Sequence, residues 1–221
     1  MSDKILLSWS GGKDSAMTLF EIAADPRYEV AGLLTTLTEE YDRISMHGVR
    51  RTLLERQAEL LGLPLHKVYI PPDAGNGLYE SRMAEALELN RAAGVNLVAF
   101  GDLFLADIKQ YRQEQLSRLS MSGVFPLWMR DTGELVRQFI RLGFKAIVTC
   151  IDSQALDSSF AGCLIDDEFL SRLPPRVDPC GENGEFHSFV FDGPIFKEKV
   201  KLSIGPVVQR DRFWFRDLIG D

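Results

Sequence analysis

Residues 5–9 form a short apolar run. The hexapeptide Ser10-Gly11-Gly12-Lys13-Asp14-Ser15 follows at once, and a helical pattern then continues to Ala24. That order reads strand, glycine turn, helix. Two adjacent glycines let the backbone turn through dihedrals closed to other residues and pass close to an anion, while the free N–H groups of the helix start point at it. Phosphate is the expected ligand. Ser10 and Ser15 add hydroxyl donors, Lys13 adds a cation, and Asp14 is placed to orient donors or to hold Mg²⁺ through water. Capping a helix would require less than this. The segment is not a Walker loop, in which Ser or Thr directly follows the lysine.

A parallel sheet is expected beyond the loop. Residues 30–37, 67–70, 96–100 and 124–128 read as strands, separated by helical stretches at 49–61, 79–93 and 108–119, with Gly62 and Gly94 at helix ends. Strands alternating with helices imply a parallel sheet covered on both faces, with ligands at the carboxyl ends of its strands. After a helix at 133–142 and a strand at 145–151 the pattern changes. Strands at 186–191, 200–204 and 207–215 follow a Gly and Pro rich segment and look antiparallel. The fold expected is therefore α/β, with a parallel-sheet domain over 1–130 and a smaller α+β domain over 131–221.

Composition narrows the function. A chain of 221 residues, 45% of them hydrophobic, buries enough surface to fold without disulfides or metals. Cys150, Cys163 and Cys180 form no C-x-x-C pair, which suits a reducing compartment and argues against zinc. No apolar run approaches the length of a membrane span, and a cytoplasmic location is expected. With 25 basic against 32 acidic residues, net charge −7, nucleic acid is a disfavoured partner.

Further candidates lie outside the loop. Asp102 closes the 96–100 strand at its ligand-binding end and is a candidate to position magnesium or a substrate. Arg112 and Glu114 stand two apart on a helix and point to different faces, so one of them at most reaches the site. Glu182 and Glu185 lie on a glycine-containing turn and offer an acceptor-only pocket for an ammonium ion or a cationic substrate. Cys180 has no neighbouring base in the sequence, so a nucleophilic role is not expected.

The hexapeptide resembles the signature of the PP-loop ATP pyrophosphatases. Over nearly its whole length the chain resembles the diphthine-ammonia ligase family, through the loop, Gly101-Asp102 with Arg112-x-Glu114, Pro126-Leu127-Trp128, Cys180-Gly181-Glu182-Asn183-Gly184-Glu185-Phe186 and Asp192-Gly193-Pro194. The resemblance implies a Rossmann-like sheet of the adenine nucleotide alpha hydrolase type. ATP would be bound by residues 10–15 and cleaved to AMP and pyrophosphate with Mg²⁺, and Lys13, Asp14 and Asp102 would serve catalysis. It further implies that His47, Arg112, Glu182, Glu185 and His187 bind the substrate. Asn183 stands where the family commonly has glycine, and His187 where many members carry an acidic residue, a departure that points to a subgroup with another acceptor.

The implied reaction adenylates a substrate carboxylate and opens the adenylate with ammonia to an amide. Diphthine on an elongation factor is the acceptor the family suggests. No cysteine has the context of a glutaminase nucleophile, so free ammonia is the expected nitrogen source. The aromatic C-terminal strands make a homodimer an expectation. Two rival functions remain open at this point: tRNA thiolation, which needs a persulfide-carrying cysteine pair, and a nucleotide-binding regulatory module without turnover. Loss of Lys13 is expected to lower AMP formation by about two orders of magnitude or more and to leave the fold intact.

Overall fold

A computed structural model of the chain describes residues 2–44 and 47–220, so the outermost residues of the two expected domains, 1 and 221, lie outside it. Strand β1 (Asp3–Ser8) leads through the hexapeptide into α1 (Lys13–Ala24), and β2 (Tyr28–Thr38) returns beside β1 in parallel. A two-residue strand, β3 (Arg43–Ile44), folds back on the end of β2. Then come α2 (Arg51–Leu61), β4 (Leu65–Ile70), α3 (Asn76–Ala92), β5 (Leu97–Ala99), α4 (Ala106–Arg118) and β6 (Ser122–Val124). Strand β4 pairs with β2, β5 with β1 and β6 with β5, all in parallel.

Both faces of this sheet are buried, because successive side chains point to opposite sides and both sides are apolar. Ile5 and Leu7 pack with Met17 and Leu19 of α1 and Leu53 and Leu54 of α2. Leu6 packs the other way, with Leu87 of α3 and Leu116 of α4. The start of α1 lies at the carboxyl edge of the sheet, at the end of its central strand β1.

The second sheet is wholly antiparallel. Helix α5 (Thr132–Arg141) starts under a cap from Asp131, whose carboxylate accepts the Glu134 N–H at 2.8 Å. Strand β7 (Lys145–Asp152), a 3₁₀ turn at Ser158–Phe160 and α6 (Asp167–Arg172) follow, then β8 (Phe186–Asp192), β9 (Leu202–Arg210) and β10 (Phe213–Gly220), in the order β8-β7-β10-β9. Val148, Phe189 and Val190 of this sheet share one continuous core with Leu7 and Met17 of the first. Among the described residues no helix is long and apolar enough to cross a membrane.

Two expected boundaries move. The strand placed at 124–128 ends at Val124, because Pro126 cannot donate to a ladder, and the chain turns with the Trp128 N–H on the Phe125 carbonyl at 3.2 Å. Gly205-Pro206, expected as the break between two strands, lies inside β9. Ile204 faces Leu218 and Val207 faces Arg216, so the glycine and proline together oppose Asp217 alone in a β-bulge. Strand β9 is the sheet edge, where a missing N–H is tolerated. The hairpin instead turns between Arg210 and Phe213, where Asp211 takes a φ of +51°.

Candidate active site

The hexapeptide is held open by packing from three directions. Gly11 has a φ of +74°, and a Cβ there would lie 2.6 Å from Gln57 Oε1 and 2.8 Å from a Leu54 methyl. Glycine is thus obligatory on both conformational and steric grounds. The Gly11 carbonyl accepts from Gln57 Nε2 at 3.1 Å and from the Val190 N–H at 2.8 Å. Gln57 is fully buried. It also donates to the Val190 carbonyl at 2.6 Å and accepts the Trp9 indole N–H at 3.0 Å, so one α2 side chain ties β1, the loop and β8 together.

Two loop amides are engaged by serine hydroxyls. The Gly12 N–H donates to Ser10 Oγ at 3.3 Å, and the Lys13 N–H donates to Ser188 Oγ at 3.2 Å. Both bonds are long for N–H···O, which leaves these donors available to a stronger acceptor such as a phosphate oxygen. Ser15 turns inward, its hydroxyl donating to the Gly12 carbonyl at 2.9 Å. Gly101 lies against the start of α1, where a Cβ would come within 3.0 Å of the Asp14 backbone.

Lys13 is 3% exposed. Its Nζ lies 2.8 Å from each Asp14 oxygen and donates to the Cys180 carbonyl. Burial is the largest influence and works against the ammonium charge, yet Asp14, Cys180 and Glu182 together outweigh it and raise the Lys13 pKa. For Asp14 burial pushes the pKa up, and the ammonium offsets this only in part, so the value stays raised. Both Asp14 oxygens contact Nζ, a geometry that favours the ion pair.

Around this pair a cavity of about 140 Å³ is lined by Ser10, Gly12, His47, Cys180, Glu182 and His187, among others. His47 and His187 stand 4.5 Å apart between ring centres. His47 Nδ1 is 3.4 Å from the Ser188 carbonyl, and His187 Nε2 is buried with no hydrogen-bond partner among the described residues. Burial, helped by Lys13, lowers the His187 pKa to about 4, and burial together with His187 holds His47 well below its ordinary value. Both rings are neutral at physiological pH.

Because folded His187 resists protonation, the unfolded chain binds more protons below the ordinary imidazole value, and stability is lost as pH falls from about 6.5 toward 4. Denaturant titrations at pH 7 and pH 4.5 are expected to show wild type losing stability relative to His187→Gln at the lower pH. An equal difference at both pH values would contradict the buried neutral ring.

The two glutamates of the turn separate. Glu185 is 8% exposed and accepts the Asp178 N–H at 3.0 Å, the Asn183 N–H at 2.9 Å and the Asn183 side-chain amide at 3.0 Å. It closes the turn and does not line the cavity, so the paired-carboxylate pocket expected from sequence does not form. Glu182 does line it, with Oε1 accepting the Leu103 N–H at 2.7 Å. Burial pushes the Glu182 pKa up to about 7. Asp102 and Arg112 close on each other, with Arg112 Nε 2.9 Å from an Asp102 oxygen and the guanidinium 4.5 Å from the centre of the Phe100 ring. The sequence left Arg112 or Glu114 to reach the site. Arg112 reaches Asp102, and Glu114 accepts from Gln110 at 2.8 Å. Cys180 is a buried thiol whose pKa is pushed up to about 12 by burial, with Sγ on the Thr132 carbonyl at 3.3 Å. It has no nucleophile's environment.

Among the described residues no three ligating side chains gather into a metal site. Asp14 has both carboxylate oxygens on Lys13 Nζ, so it offers at most one further contact to a magnesium ion carried in on nucleotide phosphates, the usual mode for that cation. Gln57 and Ser188 had no motif to mark them. The one available signal was a polar residue at 57 on the apolar stripe formed by Leu53, Leu54, Ala58 and Leu60.

Residues 3–122 match the family model described as the diphthamide synthase N-terminal domain, and residues 131–219 match the diphthamide synthase C-terminal domain. The chain is 28% identical to the diphthine--ammonia ligase of Mus musculus over 227 residues, covering 90% of this chain and 82% of the mouse protein. It is 28% identical to that of Danio rerio over 218 residues, 86% and 83% of the two chains. The protein of the same name from Schizosaccharomyces pombe is 26% identical over 226 residues, which span 93% of this chain and 37% of the longer yeast protein.

Proposed function

Since the chain belongs to the diphthamide synthase family, we propose that it is an ATP-dependent ligase that adenylates a substrate carboxylate at the Ser10–Ser15 loop and amidates it with ammonia. The observation that carries this is the joining of an anion cradle on one sheet to a carboxylate and imidazole wall on the other, around a single cavity. Residues 1–130 would then bind ATP and residues 131–221 the acceptor. A cysteine pair able to carry persulfide is absent from the sequence, which leaves tRNA thiolation without its chemistry.

The chain's own groups divide the work. The start of α1 and the Lys13 ammonium stabilise the charge that grows on departing pyrophosphate, the kind of preorganised donor worth about 3 to 4 kcal/mol of barrier. Magnesium on the triphosphate would supply Lewis-acid stabilisation of that charge beside Asp14. Confinement in the cavity brings the acceptor carboxylate to the α-phosphorus, and enclosure between two sheets limits water, which would otherwise hydrolyse the adenylate. The names of the relatives give diphthine as their substrate, and the acceptor proposed for this chain is a carboxylate of that kind, carried on a protein such as an elongation factor.

Phosphorus NMR of ATP incubated with the protein, ammonium and a diphthine-bearing elongation factor is expected to show AMP and pyrophosphate appearing together, with an amide on the acceptor. Release of ADP would overturn the assignment. Bound but unchanged ATP would favour a module without turnover.

A further inference from the structure

The charges around the cavity do not balance. Three carboxylates lie near one another, Asp14, Asp102 and Glu182, and two cations stand among them. Lys13 is committed to Asp14 and Arg112 to Asp102, each at 2.8 to 2.9 Å. Glu182 has no cation of its own. One of its oxygens takes the Leu103 N–H and the other has no partner among the described residues. The nearby Asp178 is not a substitute, because its oxygens accept the Thr132 hydroxyl at 2.7 Å and the Cys180 and Glu182 N–H groups at 2.9 and 3.2 Å. On the same cavity His187 presents a buried Nε2 that has no hydrogen-bond partner among the described residues.

A lone carboxylate and a lone imidazole nitrogen on one small cavity are complementary to a compact cation rich in N–H bonds. Resting on the ligase function proposed above, we infer that Glu182 and His187 form an ammonium site, in which Glu182 is the base that generates ammonia and His187 accepts the second proton released on amide formation. One N–H bond of ammonium breaks, its proton passing to Glu182 and its electron pair becoming the nitrogen lone pair. That lone pair forms the C–N bond at the acyl carbon of the adenylate. The acyl C–O bond breaks with its electrons leaving on AMP, and the surplus proton on nitrogen passes to His187 Nε2. Ammonium and acyl-adenylate thus give amide, AMP and two protons.

The environment suits both proton acceptors. Burial holds Glu182 near pH 7, with Asp14 and Asp102 acting in the same direction and the Leu103 N–H and Lys13 opposing, so its conjugate acid is closer in strength to ammonium than an ordinary glutamic acid. His187, whose pKa is depressed by burial and Lys13, gives up an acquired proton readily.

Hydroxylamine separates this role from a structural one, because it is largely unprotonated at neutral pH and requires no base to expose its lone pair. With the full chain, ATP and a diphthine-bearing elongation factor, Glu182→Gln is expected to lower kcat/KM for ammonium by about 10² or more, the usual worth of a general base. Its hydroxamate formation from hydroxylamine stays near the wild-type rate, and its KM for ATP is unchanged. Equal losses with both nucleophiles, or no loss with either, would overturn the ammonium site while leaving the ligase intact. A wild-type protein that releases no AMP with either nucleophile would instead remove the ligase function on which the site rests.

Discussion

Lys13→Ala is expected to form AMP about 10² to 10³ times more slowly than wild type, the loss that follows from deleting one preorganised donor to a developing anion. The cradle otherwise consists of neutral donors, the amides of residues 12 and 13 and the Ser10 hydroxyl, so the ammonium supplies its only fixed positive charge among the described residues that line the cavity. The sequence suggested that this lysine could be lost without structural cost, as from an open loop. The structure places its Nζ between Asp14 and the Cys180 carbonyl at 3% exposure. The variant strands a carboxylate beside Glu182. A sealed pair broken in this way costs about 3 to 5 kcal/mol. Asp14 keeps 30% of its side chain in water, so the loss here should be smaller. The double variant Lys13→Ala with Asp14→Asn removes both charges and should regain stability in urea titrations without regaining AMP formation. A normal turnover rate in Lys13→Ala would remove the loop from the mechanism.

Lys13 marks where local sequence pattern stops being informative. Periodicity and glycines place α1, α2 and the parallel strands, because these depend on contacts a few residues apart: Gly62 ends α2 in the left-handed conformation, φ +71°, as a glycine after a helix should. Pairings over long separations are not written in local pattern. Glu182 and Glu185 look equivalent on one turn, and only the folded loop shows the second spent on the backbone of Asp178 and Asn183. His47 and His187 are 140 positions apart and meet because β8 crosses the loop of the first sheet. Gly205-Pro206 has the composition of a turn, but edge position decides that it bulges.

Gln57→Leu is the substitution with the largest expected effect on the fold itself. Leucine matches the volume and suits the apolar stripe of α2, so an amphipathicity argument alone would favour it. The amide, however, makes three bonds where it is fully buried. Its loss leaves the Trp9 indole N–H and the Val190 carbonyl without that partner, while the Gly11 carbonyl retains the Val190 N–H at 2.8 Å. Each stranded buried group costs about 1 to 3 kcal/mol, so a total of about 2 to 6 kcal/mol is expected. For a chain of this size that corresponds to a fall in Tm of roughly 5 to 15 °C. The effect should reach the site, because the same amide fixes the Gly11 carbonyl and couples β8 to the loop. ATP binding should therefore weaken in the variant even well below its Tm, and saturating ATP should restore part of the lost Tm by mass action. Thermal unfolding with and without ATP tests both parts. A Gln57→Leu protein as stable as wild type would mean that the three bonds add nothing beyond the packing of the side chain, and the loop would then owe its shape to glycine and β8 alone.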